Sequence, residues 1–582
     1  MENRYYTNER NVQIVIALLK AHGIHRVIAS PGTTNMTFVV SVENDPWFQI
    51  WSSVDERSAA YLACGMAAET GEPVVLSCTG ATASRNYMPG LTEAYYRKLP
   101  VLAITSTRGN HKIGHLIDQQ IDRRNLPNDI AVESVTIPMV KDIEDERMCE
   151  IEANKAILAL KLKGGGPAHI NMYTKYSKDF SVKEIPSVNP IYRLTVYDKE
   201  WPQNPEGKIA IKIGSHTNFT EEQTKAIDNF CATYDAIVCC DHTSGYRGRY
   251  EAHGQIVFGQ QKWKSSLRDV NLCIQIGEVS GDLFYINSKH TWRVSPDGAI
   301  RDSFGNLRRV FMMEEQAFFE HYSKEGSTHT EYIDSLNNEV NSFMKELPEL
   351  PFSNIWIAQQ MFNKLPFNSE LHLGIYHSLR SWNFFKLPSG IQAKCNVGGF
   401  GIDGGVSTMI GASLVKPDKL FIGVFGDLAF FYDMNVVGNR HVGNNVRILL
   451  INNGKGNEFR NYAHPCYFLG EAADKYVAAA GHYGNKSPEL VKNYAINLGY
   501  EYLTSSNKDE FNSVINRFLT PEITEQPMLL EVFTDGDDES NALETILNIR
   551  VDTNGALKNN IKKAIKTIVG ENGIELIKKV VK

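Results

Sequence analysis

Two apolar runs, each closed by a polar residue, constrain this chain more than any other feature of its sequence. The run 420–425 leads into Gly426-Asp427-Leu428, and the next apolar run ends at Asn452-Asn453, so that Asn453 stands 26 positions after Asp427. An acidic residue at one strand end and an amide at the next can meet across a single helix. Their oxygens are ligands for a hard divalent cation, although an Asx turn after a strand uses the same residue types.

The spacing of the two polar residues favours the cation and predicts a magnesium-diphosphate site. Mg²⁺ prefers octahedral oxygen ligands and usually shares them between a few protein groups and phosphates. Asp427, Asn453 and the backbone carbonyl of Lys455 would supply the protein ligands. Gly454 and Gly456, on either side of Lys455, allow the backbone to come close.

The rest of the chain alternates predicted helices and strands. Thr7 or Asn8 can cap a first helix, and a second helix should run from Glu56 to about Thr70 and end at Gly71. Short apolar runs between such helices predict a parallel α/β fold. Proline and asparagine clusters suggest linkers between the domains. The predicted parts are residues 1–185, residues 190–345, residues 353–548 with the metal motif, and a basic helical extension at 549–582.

Composition excludes several classes of protein. The 582 residues suit three or four domains, and 42% hydrophobic with 22% charged residues is ordinary for a globular protein. The net charge of −7 provides no basic footprint for nucleic acid. The nine scattered cysteines form no Cys-x-x-Cys motif, so we expect reduced thiols in a cytoplasmic protein. No predicted segment has the length and apolar character of a membrane span, and the basic extension should pack on the body or on a partner subunit.

The segment from Gly426 to Asn453 resembles the cofactor-anchoring motif of thiamine diphosphate (ThDP) enzymes, in which Gly-Asp-Gly precedes Asn-Asn by about two dozen residues. Leu428 replaces the last glycine of that motif. Within the ThDP decarboxylases and carboligases, the segment is most similar to 2-succinyl-5-enolpyruvyl-6-hydroxy-3-cyclohexene-1-carboxylate (SEPHCHC) synthases. The similarity extends over most of the chain.

The resemblance implies three doubly wound parallel-sheet α/β domains. They are a pyrimidine-binding domain, a central domain and a diphosphate-binding domain, and the short helical extension follows them. It implies ThDP and Mg²⁺ as cofactors, and a homodimer or homotetramer with the active site at the subunit interface. Some relatives hold FAD in the central domain. The segment 277–281 is only a weak candidate for that, because no Gly-x-Gly-x-x-Gly motif is present.

Glu56 follows a predicted strand in the segment Asp55-Glu56-Arg57. A glutamate in the first helical turn also complements the helix dipole, which is its structural explanation. The resemblance implies instead that Glu56 hydrogen-bonds the pyrimidine ring of the cofactor. A partly desolvated carboxylate at that ring assists removal of the thiazolium C2 proton.

The resemblance assigns further residues to the site. Ile402 corresponds to an isoleucine wedged between the two cofactor rings, although a core isoleucine looks the same in sequence. Gln119 aligns with a glutamine near the reacting carbon, and a shift of one position would select Gln120. His377 could transfer protons, although a lone histidine can be structural. The other predicted cofactor contacts are Thr79, Gly80, Asn86, Ser378, Gly426 and Leu428.

Three departures from the synthases bear on the substrate. Thr34, Val397 and Trp382 stand where the synthases have arginines that bind carboxylates, and Arg380 is offset by two positions. This argues against isochorismate and 2-oxoglutarate as substrates. The prediction is ThDP- and Mg²⁺-dependent decarboxylation of a 2-oxo acid, with transfer of the acyl carbanion equivalent to an acceptor. Alternatives are a simple decarboxylase that releases aldehyde, a non-catalytic ThDP-binding subunit, and a lyase or hydrolase acting on a cyclic dione.

Overall fold

The computed structural model describes residues 5–282, 286–482 and 487–552. The chain divides into two compact units, Met1–Trp201 with Thr291–Met313, and Pro202–His290 with Glu314–Lys582. Beyond residue 552, the predicted basic extension lies outside the described residues.

The first unit contains a six-stranded sheet with helices on both faces. Its strands are β1 (Arg26–Ala29), β2 (Gln49–Ser52), β3 (Val74–Thr79), β4 (Val101–Thr107), β5 (Glu133–Ile137) and β6 (Ala168–Tyr173). Its helices are α1 (Arg10–Ala21), α2 (Met36–Glu43), α3 (Glu56–Thr70), α4 (Thr82–Asn86), α5 (Met88–Arg97) and α6 (Ile143–Ala159), with short 3₁₀ turns at Asn110–Lys112 and Leu162–Gly164. All the pairings are parallel, in the order β2-β1-β3-β4-β6-β5.

The core of this sheet follows from apolar spacing. One buried cluster joins α1 and α6 to one face of the sheet, and a second joins α3 and α5 to the other. Helix α3 runs from Glu56 to Thr70 and ends at Gly71, which has φ +68°, as predicted. The predicted cap of α1 was wrong. Its N-cap residue is Glu9, whose side chain makes no capping hydrogen bond, and the Thr7 hydroxyl accepts the N–H of Glu9 (3.3 Å), which precedes the helix.

The middle sheet has seven strands. They are β7 (Tyr192–Thr195), β8 (Ile209–Ile213), β9 (Ile237–Cys239), β10 (Glu251–Ala252), β11 (Asp269–Ile276), β12 (Asn287–Val294) and β13 (Leu307–Met312). The first unit holds β7, β13 and β12 from Thr291 onward, and the second unit holds β8 to β11 in the order β10-β9-β8-β11. The accompanying helices are α7 (Glu221–Tyr234), α8 (Gln255–Phe258), α9 (Glu315–Tyr322) and α10 (Glu331–Glu346), and a 3₁₀ turn spans Ser266–Arg268.

The second unit also contains the third sheet. Its strands are β14 (Glu370–Leu373), β15 (Gln392–Lys394), β16 (Phe421–Gly426), β17 (Val446–Asn452), β18 (Glu501–Ser505) and β19 (Met528–Phe533). Its helices are α11 (Asn354–Met361), α12 (His377–Trp382), α13 (Gly405–Leu414), α14 (Asp427–Asp433), α15 (Leu490–Asn497), α16 (Lys508–Phe518) and α17 (Gly536–Leu547), with 3₁₀ segments at Met434–Gly438, Asn457–Arg460 and Tyr467–Ala473.

The third sheet repeats the topology of the first. Its order is β15-β14-β16-β17-β19-β18, and every pairing is parallel. The chain therefore leaves β14 in one direction along the sheet and returns to build the other half from β16. In open parallel sheets, ligands bind at the carboxyl ends of strands where the order reverses.

Three parallel sheets with flanking helices confirm the predicted α/β fold class. Each sheet lies within one of the three residue ranges predicted as α/β domains, and the domain boundaries themselves stay predictions. Among the described helices, none has the length and apolar character needed to cross a membrane.

Candidate active site

A cavity of about 440 Å³, here called the strand-end cavity, lies in the second unit where β14, β16 and β17 end. Its walls come from the segments that follow these three strands, together with the loop before α13. Predicted site residues from four separate parts of the sequence meet in these walls. They are His377, Ser378, Ile402, Gly426, Asp427, Leu428, Asn453 and Lys455.

Asp427 begins α14 directly after β16 and is only 5% exposed. Gly426 pairs with Ile451 of β17, so the two predicted metal-binding segments leave neighbouring parallel strands at the same edge. The backbone N–H groups of Leu428 (2.8 Å) and Gly454 donate to the Asp427 carboxylate. Burial nevertheless raises the pKa of Asp427 to about 7. A bound cation would compensate this desolvated carboxylate.

Asn453 and Lys455 complete the same side of the cavity. The Oδ1 atom of Asn453 is buried and has no hydrogen-bond partner among the described residues. The Lys455 ammonium pairs with Asp474 at 2.9 Å, so the side chain is engaged while its peptide remains part of the cavity wall. An unpartnered amide oxygen beside a desolvated carboxylate is a set of hard oxygen donors, which fits the predicted Mg²⁺.

His377 stands at the start of α12, after the strained residue Tyr376, which has φ +64°. Its Nε2 atom lies 2.8 Å from the carboxylate of Glu539, a side chain with no exposed surface. Glu539 also accepts the N–H of Asn354 (3.0 Å) and the hydroxyl of Thr534 (2.8 Å). Burial lowers the pKa of His377, but the carboxylates of Glu539 and, to a smaller extent, Glu458 together outweigh this, and the pKa is raised.

Three residues of the site were missed from the sequence: Asn354 and Glu458, which line the strand-end cavity, and Glu539, which contacts His377. Asn354 donates to the Ser378 hydroxyl (3.3 Å), and Arg380 forms an ion pair with Glu458. The only sequence signal for Glu539 was its place in an acidic run at the start of a helix, which indicated a helix start and nothing more.

In the first unit, Glu56 and Asn86 come together. The Nδ2 atom of Asn86, at the end of α4, donates to the half-buried Glu56 carboxylate at 3.1 Å. Asp55 caps α3 instead, by accepting the N–H of Arg57 (2.9 Å). Since Asp55 performs the capping, the Glu56 side chain is left to contact Asn86.

The other predicted residues of this unit lie on loops beside β3 and β4. Thr79 ends β3, and a Cβ atom on Gly80 would lie 2.6 Å from both the Arg123 guanidinium and the Ser106 carbonyl. Tight packing therefore requires glycine at position 80. Gln119 is exposed and has φ +56°, whereas Gln120 is half-buried with its amide 3.4 Å from the Gly109 carbonyl.

The three positions at which the resemblance led us to look for arginines are Thr34, Val397 and Trp382, and none of them carries a charge. Thr34 is buried and donates to the Ser106 carbonyl at 2.8 Å, and Val397 and Trp382 are buried apolar side chains. Arg380 does line the cavity, but its guanidinium is already paired with Glu458.

Comparison with known proteins decides the family. A curated SEPHCHC synthase of Bacteroides thetaiotaomicron is 30% identical to this chain over 560 residues, which cover 93% of this chain and 98% of the synthase. This chain belongs to the thiamine diphosphate-dependent enzymes. The enzyme is also similar to the synthases of the same name from Bacteroides fragilis (29% identity, 93% and 98% coverage) and Flavobacterium johnsoniae (26%, 90% and 95%).

Residues 10–126 of the enzyme match the family described as thiamine pyrophosphate enzyme, N-terminal TPP binding domain. Among solved structures, the thiamine diphosphate-dependent 4-hydroxybenzoylformate decarboxylase of Rhodococcus jostii RHA1 matches 91% of this chain and 100% of its own, at 15% identity and a TM-score of 0.39. The sequence relationships confirm the predicted enzyme class and the predicted cofactor, thiamine diphosphate.

Proposed function

We propose that this enzyme decarboxylates a 2-oxo acid, with ThDP and Mg²⁺, and transfers the resulting acyl carbanion equivalent to an acceptor with formation of a carbon–carbon bond. One observation carries the proposal: the predicted metal ligands and a histidine paired with a buried carboxylate line a single cavity. When bound, the thiazolium supplies the electron sink that cleavage next to a carbonyl requires. The curated relatives are synthases by name.

The residues of the strand-end cavity divide between holding Mg²⁺ and holding the organic part of the cofactor. Asp427, Asn453 and the Lys455 carbonyl would hold Mg²⁺ and, through it, the diphosphate. Ser378, Gly426 and Leu428 would line the diphosphate side, and Ile402 offers an apolar surface to the rings.

Glu56 would assist the proton transfer that activates the cofactor. Its carboxylate is oriented by Asn86, and a carboxylate positioned at the pyrimidine is the general acid–base group that the cofactor needs. We propose that Glu56 acts on the cofactor held by Asp427 of another subunit, so that the enzyme works as a homo-oligomer. We propose that Thr79 and Gly80 contact the cofactor at that site and that Gln119 lies near the reacting carbon.

His377 would supply the proton that completes carbon–carbon bond formation. The bond between the carboxyl carbon and C2 of the 2-oxo acid breaks and carbon dioxide leaves. The electron pair retained at C2 forms the new bond to the acceptor carbonyl carbon, and the acceptor oxygen takes one proton. His377, whose pKa is raised by Glu539, is a donor of the right kind for that oxygen.

The test combines carbon dioxide release with product mass spectrometry on the ThDP–Mg²⁺ enzyme. The panel contains pyruvate, 2-oxobutyrate, phenylpyruvate and 2-oxoglutarate, each with and without aldehyde acceptors. Carbon dioxide release with a joined product supports the proposal. Release of free aldehyde alone, whatever the acceptor, indicates the simple decarboxylase. Absence of carbon dioxide from every donor overturns the proposal in favour of the cyclic dione or non-catalytic alternatives.

A further inference from the structure

A second cavity of about 430 Å³, here called the side chamber, adjoins the strand-end cavity in the second unit. The two cavities share His377, Arg380, Glu458 and His464 as lining residues. A molecule in the side chamber would therefore face the same histidine that lines the proposed cofactor site. None of the roles proposed above uses the rest of the side chamber.

The charged side chains of the side chamber already have hydrogen-bond or ion-pair partners within the chain. Arg380 is the only arginine or lysine among its described lining residues, and it pairs with Glu458. His377 pairs with Glu539 at 2.8 Å, and the Asp282 carboxylate accepts the Asn383 amide at 3.0 Å. A carboxylate-rich ligand would lose its hydration here without meeting an uncompensated cation, which is unfavourable.

The side chamber offers hydrogen-bond acceptors instead. Gln255 is 7% exposed, and its Nε2 atom donates to the Cys240 carbonyl at 3.2 Å, which sets the direction of the amide. Its Oε1 atom is buried and has no partner among the described residues. Asn461 is 5% exposed, and its Oδ1 atom is also buried without a hydrogen-bond partner among the described residues. Buried carbonyl oxygens of this kind require donors, and a ligand hydroxyl provides one.

The side chamber also has an apolar wall, formed by Phe384, Leu543 and Leu547. A ring or chain with one apolar face and one hydroxylated edge satisfies both walls at once. We infer that the side chamber binds the acceptor of the carbon–carbon bond-forming step, and that this acceptor is a neutral polyhydroxylated carbonyl compound. The inference rests on the proposed function, and the acceptor carbonyl would lie on the side of His377.

Binding of matched probes tests the ligand class without requiring turnover. The ThDP–Mg²⁺ enzyme is titrated with myo-inositol, a neutral polyol, and with cyclohexane-1,2-dicarboxylate, followed by saturation-transfer NMR. Gln255→Leu removes the acceptor oxygen, and Ala463→Trp places a large side chain on the exposed lining residue Ala463. Gln275→Leu makes the same change as Gln255→Leu at a buried residue of β11 outside the lining.

We expect inositol to bind the unmodified enzyme and the Gln275→Leu variant alike. Its affinity should fall roughly tenfold in Gln255→Leu, the effect of one lost hydrogen bond, and its signal should vanish in Ala463→Trp. The dicarboxylate should bind more weakly than inositol. Equal or tighter dicarboxylate binding, no inositol binding, or unchanged inositol affinity in Ala463→Trp overturns the inference. Carbon dioxide release by the unmodified enzyme is a separate readout, so failure of the proposed reaction is recognised independently.

Discussion

The imidazole Nε2 of His377 lies 2.8 Å from the carboxylate of Glu539, a residue 162 positions later in the chain. The contact joins the start of α12 to the first turn of α17. It places a buried negative charge behind a histidine that faces two adjoining cavities. The charge raises the pKa of His377 despite its burial, so that the cationic form persists to higher pH than in a free histidine.

Glu539→Gln should move the pH dependence of ligation toward acid. The charged groups around His377 are Glu539, Glu458 and Arg380, and the first makes the largest favourable contribution to the cation. A raised pKa means that the protonated donor is present at low pH and is lost as pH rises through that value. Without the carboxylate, the loss should begin at lower pH, and ligation at pH 8 should fall by about tenfold or more.

The measurement for that variant is the pH profile of the joined product, with melting temperature as a check on folding. Glu544→Gln changes an exposed carboxylate on the same helix and should leave the profile in place. A Glu539→Gln profile identical to that of the unmodified enzyme would show that His377 is only structural.

Glu56→Gln should retain the cofactor and lose turnover. The neutral amide keeps the size of the side chain and can still contact Asn86, but it cannot accept the activating proton. We expect carbon dioxide release to fall by roughly 10² or more, with ThDP affinity by calorimetry changed by less than about threefold. Glu69→Gln, an exposed position on the same helix, is the control. Near-normal turnover in Glu56→Gln contradicts the role of Glu56.

Asp427→Asn should weaken cofactor binding in a magnesium-dependent way. The substitution keeps the shape of the side chain and removes the only carboxylate in the proposed ligand set. At fixed Mg²⁺ we expect the Kd for ThDP to rise by roughly 10–100-fold, with partial recovery as Mg²⁺ is increased. Asp418→Asn, an exposed residue before β16, serves as the matched control. Equal ThDP affinity in Asp427→Asn and in the control would remove Asp427 from the site.

His169 should make the fold sensitive to acid. Its ring nitrogens contact the hydroxyls of Thr105 (2.7 Å) and Ser134 (2.9 Å), and burial, together with Arg123, lowers its pKa to about 3. Between pH 6.5 and 3, the unfolded chain therefore binds a proton that the folded chain does not. This histidine should reduce the free energy of unfolding by up to about 1.4 kcal/mol for each pH unit lost below 6.5.

Chemical denaturation from pH 7 to 4.5 measures this effect. The stability difference between the unmodified enzyme and His169→Gln should shrink as pH falls, because the variant lacks the titrating group. His111→Gln, at an exposed position of the same unit, should show a difference that does not change in this way. A difference for His169→Gln that is independent of pH contradicts the buried neutral histidine.

The start of α1 differs from what local sequence preferences predict. Thr7 and Asn8 have side chains that commonly cap helices, but neither residue is the N-cap of α1. The backbone N–H of Thr7 donates to the Ser41 hydroxyl (2.9 Å), and the side-chain amide of Asn8 donates to the carboxylate of Asp179 (3.1 Å). The helix then starts after Glu9, whose carboxylate accepts backbone N–H groups from the loop after β6. Contacts between residues more than 30 positions apart therefore outweighed the capping preferences of single residues.

The sequence by itself determined the parallel α/β class and the meeting of Asp427 with the Asn453 segment. Alternation of buried apolar strands with helices favours parallel pairing, and the ends of neighbouring parallel strands lie at one edge. Only the tertiary structure decided that Glu539 stands behind His377 and that Arg380 is neutralised by Glu458. Those pairs join residues 162 and 78 positions apart, and no periodicity or local spacing encodes which distant side chains become neighbours.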